Sequence, residues 1–150
     1  MPDLTGVLTF VHVAFAAFWV GGAVLLTVYG MTLMSSDAPA KIAFSKMTLV
    51  AGRLFAVFAA IALVAGTWLV LRVDFFGFDQ AWISIGFTGI IVGAVLGPAF
   101  YAPQAKALIG ELESGAPGSA ARERKIGIVS MLEVALLIVV VWAMVYKPGI

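Results

Sequence analysis

The 150-residue chain has no cysteine and a single histidine, and only 11% of its residues are charged, against the roughly 25% usual for soluble domains. The absence of cysteine excludes disulfides, thiolate metal sites, c-type haem attachment, iron–sulfur clusters and acyl anchors on a thiol. The formal net charge is +1, so no electrostatic partner is implied and no nucleic-acid partner is expected. The N-terminal stretch Met1-Pro2-Asp3-Leu4-Thr5 has no basic residue, and the apolar run behind it is too long for the h-region of a signal peptide; it is expected to be a retained helix. There is no HExxH, no P-loop and no Ser–His–acid set near one depth, so no familiar catalytic constellation identifies an enzyme.

Hydrophobic residues, in contrast, make up 63% of the chain. A soluble domain of this size buries only ~70% of the surface its unfolded chain exposes, too little to hide so much apolar side chain. The expected solvent is the lipid bilayer. A spanning helix needs about 20 apolar residues to cross ~30 Å of hydrocarbon. The sequence offers spans at about 4–34, 42–71, 82–108 and 126–146, separated by Ser35-Ser36-Asp37-Ala38-Pro39, by the turn residues from Arg72 to Asp79, and by a polar stretch from Gly110 to Arg124. Backbone groups in lipid must be satisfied within each segment, and no alternating pattern suggests a barrel, so the spans read as helices. The expected fold is an all-α, antiparallel four-transmembrane-helix bundle forming a single integral membrane domain over residues 1–150.

Lysine and arginine set the expected orientation. Lys41, Lys46, Lys106, Arg122, Arg124 and Lys125 flank the first and third connections, against Arg72 and Lys147 on the other side. This puts those connections on the cytoplasmic side and both termini outside; the expected location is a bacterial inner (cytoplasmic) membrane. Trp82, Trp142 and Tyr146 fall where interfacial anchors belong.

Several residues inside the spans ask for an explanation. His12 lies about 12 Å into the first helix at ~1.5 Å per residue, on one stripe with Thr5, Thr9, Ala16, Trp19 and Ala23. It reads either as an axial haem or metal ligand or as a histidine hydrogen-bonded to a neighbouring helix. Gly21 and Gly22 after Trp19 admit the close approach of a helix or of a flat ligand. Arg53 and Glu133 are the intramembrane charges. Placed at similar depth, they are expected to pair, with Ser130 one turn before Glu133 as a further donor to it; alternatives are a proton- or ion-handling site, an anchor for an anionic group, or an Arg53 that snorkels to the interface. Lys46 reads as a solvated interfacial charge. Gly89, Gly93 and Gly97 form a GxxxGxxxG ridge, suited to packing within the bundle or to a homodimer contact. Met31 and Met34 read as gap fillers rather than a copper pathway. His12 and Glu133 sit toward opposite faces and do not form an acid–base dyad.

The first helix, His12-Val-Ala-Phe-Ala-Ala-Phe-Trp19-Val-Gly21-Gly22, resembles the opening helix of CopD-like membrane proteins and of HemJ-type protoporphyrinogen oxidases. The second helix adds Phe44-Ser45-Lys46 early and Gly66 late, and the segment from Gly97-Pro98 to Lys106 resembles the members of unknown function in that group. The resemblance implies a four-helix bundle with His12 as the ligand of a haem b, lined by Trp19, Gly21 and Gly22. Leu25-Leu26-Thr27 replaces the Pro-Arg of HemJ-type chains, and Ala43 stands where Arg precedes Phe44 in relatives, which argues against porphyrinogen oxidation. The shortage of Met and His argues against copper transport.

Together these readings give a haem b-binding membrane protein acting in redox or haem handling. The alternatives are a non-enzymatic assembly or structural subunit with His12 in a packing role, and a small ion or metal permease. One histidine cannot provide bis-His ligation within one chain, so haem would take methionine, another weak ligand, an open position, or a second His12 across a homodimer.

Overall fold

Each helix begins and ends where the local chemistry directs. In the computed structural model, which describes Asp3–Gly149, the Asp3 side chain accepts from Thr5 N–H and starts α1, Leu4–Thr32. A short 3₁₀ turn, Leu33–Ser35, ends it. Asp37 then accepts from Ala40 N–H at 3.2 Å, and with Pro39 in the first turn it starts α2, Ala38–Arg72. After a turn held by Gln80, whose side chain bonds Gly77 N–H and the Phe75 carbonyl, α3 runs over Ala81–Leu96. A π-helical turn, Gly97–Tyr101, links it to α4, Ala102–Ser114. Pro98 lies within that turn and Pro103 just after it, and neither has an N–H for the helical ladder. Gly115, at φ 66°, closes α4 in the left-handed conformation, and α5 fills Ser119–Tyr146.

The four segments long and apolar enough to cross a membrane are Leu4–Ser35, Ala38–Arg72, Ala81–Ser114 and Ser119–Tyr146. The protein is an all-α, multi-pass membrane bundle of antiparallel helices. Consecutive segments are neighbours and α1 also packs on α5; α1 stands diagonally from α3, and α2 from α5. One end, the terminal end, carries the start of α1 and the end of α5. There Arg72 donates to Thr5 Oγ1 at 3.2 Å, and Lys147 lies over the rings of Phe76 and Trp82. The other end carries ion pairs: Lys41–Glu123 at 2.9 Å, Arg122–Glu111 at 2.6 Å and the more open Lys46–Glu113 at 3.5 Å.

Those ion pairs correct the expected length of the polar connection. The stretch from Gly110 to Arg124 reads as a loop because it is charged and glycine-rich. The structure keeps only the residues between Ser114 and Ser119 outside helix. Arg122 on α5 reaches back to Glu111 and Gln104 on α4, and Lys41 of α2 reaches Glu123. Where the helices leave the hydrocarbon region, charge thus joins the apolar packing of Ala105 and Leu108 in tying them together.

The interior interleaves small and large residues: Ala59, Ala62, Ala65, Ala105 and Ala143 lie buried beside Trp19, Leu69, Trp82 and Leu137. Large apolar chains such as Phe10, Leu71 and Val145 face outward. That is the pattern of a bundle in lipid, where no hydrophobic gain drives helices together and small residues permit close van der Waals packing. Trp82 departs from its expected interfacial role: it is buried against Phe76 and Ala143, whereas Trp142 and Tyr146 stack on each other at 5.8 Å and are exposed.

Candidate functional site

Rings seated on glycines build the interior. Phe44 and Phe55 of α2 lie against Gly30 and Gly22 of α1, and His12 of α1 lies against Gly66 of α2. A methyl group on Gly66 would sit 2.7 Å from His12 Nδ1, and one on Gly93 of α3 would sit 2.5 Å from Trp19 Cζ2. Real Cβ atoms do not approach so closely, so these glycines are the space the two rings occupy.

The half-buried His12 ring makes one strong polar contact, Nδ1 to the Ala62 carbonyl oxygen at 2.7 Å. A carbonyl only accepts, so the proton of the neutral ring is on Nδ1 and Nε2 keeps its lone pair. The carbonyl belongs to the turn of α2 that Gly66 opens, so one glycine provides both the seat for the ring and access to the backbone acceptor.

Trp19, one stripe-length further along α1, goes elsewhere. It is buried with Ala59 and Leu137 and crosses the diagonal of the bundle to reach Gly93. Of the residues expected to line a cofactor with His12, Trp19 is in the core, Gly22 is filled by Phe55, and Gly21 is exposed with open space at its Cβ position. The structure does not bring these four residues around one space within the chain.

Glu133 of α5 lies in the same layer as Trp19, with its Oε1 3.6 Å from the Cβ position of Gly93. The expected pair with Arg53 is not formed: the ion pairs among the described residues are the three at the charged end, and Arg53 is exposed beside Leu54 and Val50. Two physical reasons account for this. Arg53 and Glu133 stand on diagonal helices, and they differ in depth. Counted from Arg72, Arg53 is about 29 Å from the terminal end, whereas Glu133, counted from Tyr146, is about 20 Å from it. Arg53 therefore reaches the edge of the hydrocarbon region and Glu133 does not. Ser130 bonds the Gly127 carbonyl rather than Glu133.

Sequence reasoning missed Tyr101. It ends the π-helical turn, and its hydroxyl is buried without a hydrogen-bond partner among the described residues. Pro98 and Pro103 marked that stretch as irregular helix and could have drawn attention to it.

Most of the GxxxGxxxG ridge is used inside the bundle. Gly89 receives Val140 of α5 and Gly93 receives Trp19, as Gly86 one turn earlier receives Met144. Gly97 has nothing within 4 Å of its Cβ position. No cluster of three or more His, Asp or Glu suited to a metal ion occurs among the described residues. Compared with protein-family models, curated proteins and solved structures, the chain matches none.

Proposed function

We propose that this chain is a haem b-binding membrane protein acting in redox or haem handling, with His12 as the iron ligand through Nε2. The observation that carries the reading is the 2.7 Å contact of Nδ1 with the Ala62 carbonyl. Ligating histidines almost always donate their second nitrogen in this way, which fixes the ring and raises the basicity of the free nitrogen. The half-buried ring between α1 and α2 fits such a ligand. A bound haem b would supply one-electron chemistry at the iron. The chain's own contribution is to hold the imidazole against one seat, with Nδ1 donating to the Ala62 carbonyl so that Nε2 of the neutral ring is the free nitrogen. Trp19 and Gly22, engaged within the bundle, contribute stiffness behind α1 rather than contact.

Because one chain offers one histidine, the reading includes a homodimer in which each copy contributes its His12. The membrane is the bacterial inner membrane, with both termini outside: Lys41, Lys46, Arg53, Lys106, Arg122, Arg124 and Lys125 lie toward the ion-pair end, against Arg72 and Lys147 at the other. A second reading, an assembly or structural subunit, is favoured by the same His12 ring, since a histidine bonded to a neighbouring helix and seated on Gly66 also serves packing alone.

An absorbance spectrum separates the two. The detergent-purified protein, oxidised and then reduced with dithionite, is expected to show a Soret band that sharpens on reduction and is lost in His12→Ala. A protein that stays colourless after incubation with haem would overturn the haem reading and leave His12 as a packing residue.

A further inference from the structure

Cations outnumber carboxylates at the ion-pair end. Lys41, Lys46 and Arg122 are paired with Glu123, Glu113 and Glu111. Asp37, the other acid there, caps α2. Arg53, Lys106, Arg124 and Lys125 are exposed and form no ion pair among the described residues. Lys125 has an aromatic neighbour, the Phe100 ring at 5.6 Å. Arg53 and Lys106 make no side-chain hydrogen bond among the described residues, and the fold brings them together.

The ion pair Lys46–Glu113 sets the level of α2 against α4. These helices pack on each other and run antiparallel, so a step toward the bilayer centre is forward along α2 and backward along α4. Seven residues make close to two full turns and return to the same stripe of a helix. The seventh residue after Lys46 is Arg53, and the seventh before Glu113 is Lys106. The two cations therefore stand level with each other on adjacent helices, about 10 Å deeper than the ion pair. Gly110 lies between the two levels on the α4 stripe, exposed and with nothing within 4 Å of its Cβ position. The surface above the cations is thus bare.

That level is the edge of the hydrocarbon, since Arg53 stands about 29 Å from the terminal end of a ~30 Å layer. Toward the bilayer centre, α2 turns Leu54 and Val57 outward. A ligand that fits has a negative head held at the edge and an apolar body below it. Free phosphate has no apolar body, and a zwitterionic lipid brings a cation of its own beside two others. Arginine can bind two phosphate oxygens at once, and lysine adds a compact charge.

We propose that Arg53 and Lys106 bind the phosphodiester headgroup of an anionic phospholipid in the leaflet at the ion-pair end, with its acyl chains along Leu54 and Val57. The site is a fixed position on the α2–α4 face, distinct from the general attraction of a basic surface for anionic lipid. It does not depend on a haem.

The test is native mass spectrometry of the full chain in a neutral detergent, titrated with phosphatidylglycerol, with phosphatidylcholine and with inorganic phosphate. Wild type is expected to retain one phosphatidylglycerol in preference to phosphatidylcholine, and excess inorganic phosphate is expected not to displace it. Each cation near an anionic headgroup contributes about fivefold in affinity, so Arg53→Gln with Lys106→Gln is expected to weaken retention about 30-fold. Arg124→Gln with Lys125→Gln removes the same charge elsewhere at this end and is expected to leave retention within about threefold. If the Arg53 and Lys106 double variant does not fold, Lys106→Gln alone is expected to show the fivefold loss. Equal losses in the two double variants would overturn the site in favour of diffuse attraction. Equal retention of the two lipids, or displacement by inorganic phosphate, would overturn the anionic lipid as its occupant.

Discussion

His12 on Gly66 and Trp19 on Gly93 are the same device used twice, one aromatic ring against one bare stretch of helix, and they have opposite surroundings. His12 joins adjacent helices, is half exposed and has its polar atom satisfied by a backbone carbonyl. Trp19 crosses the bundle, is buried, and lies in the same layer as the Glu133 carboxyl, which forms no ion pair among the described residues. The difference is between an open seat and an enclosed one. An open seat can present a ring to something outside the chain. An enclosed seat locks helices and sets the environment of whatever polar group adjoins it.

The comparison is broken most sharply by adding one methyl group to each seat. In Gly93→Ala the new Cβ would stand 2.5 Å from Trp19 Cζ2 and 3.1 Å from Cη2, and the ring is held by Ala59 and Leu137. Overpacking of this kind costs about 3 kcal/mol where neighbours cannot yield. In Gly66→Ala the His12 ring can tilt toward its exposed side, so the expected loss is smaller, about 2 kcal/mol, most of it the hydrogen bond to Ala62. Thermal unfolding in one detergent ranks the two; equal losses would mean that both rings are equally enclosed.

The same contrast of enclosed against open holds among the charges. Lys41 and Glu123 pair at 2.9 Å with side chains only 16% and 12% exposed, whereas Lys46 and Glu113 stand at 3.5 Å with 61% and 54% exposed. Lys41→Met leaves Glu123 partly sequestered and is expected to cost about 1–2 kcal/mol, between the values for surface and buried pairs. Lys46→Met is expected to change the unfolding midpoint little, and added salt to narrow the gap between the two variants. Equal effects would show that the ion-pair end is uniformly solvated.

How much of this could be read in the sequence depends on the range of the interaction. The number of spans, their helical nature and their antiparallel order follow from hydropathy and connection length, which are local properties. The extension of α4 through Ser114 did not follow, because it depends on Arg122 meeting Glu111 and Gln104 across a turn. The position of His12 on a stripe with Trp19 was legible from the helical repeat, but the repeat does not say that one ring faces α2 while the other crosses to α3. The Arg53–Glu133 pairing failed for a related reason. Depth can be counted along one helix, but which helices stand diagonally, and which way a long side chain turns, is decided by packing of the whole bundle. Tyr101 was hidden because its place depends on a π-helical turn, where the ordinary helical repeat misassigns every face beyond it.

The smallest expected effect tests whether the glycine ridge has an open end. Gly86, Gly89 and Gly93 are filled by Met144, Val140 and Trp19, so their use is settled within one chain. Gly97 continues the ridge but has nothing within 4 Å of its Cβ position, and its φ of −53° is compatible with any residue. Gly97→Ala therefore meets no clash, and the reduced freedom of the unfolded chain should raise stability by a few tenths to about 1 kcal/mol. A rise in the unfolding midpoint, independent of protein concentration, would place the end of the ridge against lipid. A fall that deepens on dilution would mean that a second copy covers Gly97, because only a contact between chains is weakened by both the added methyl group and mass action. The same pair of measurements on Gly21→Ala, which is exposed and equally unhindered, would locate that contact on α1, on the helix that carries His12.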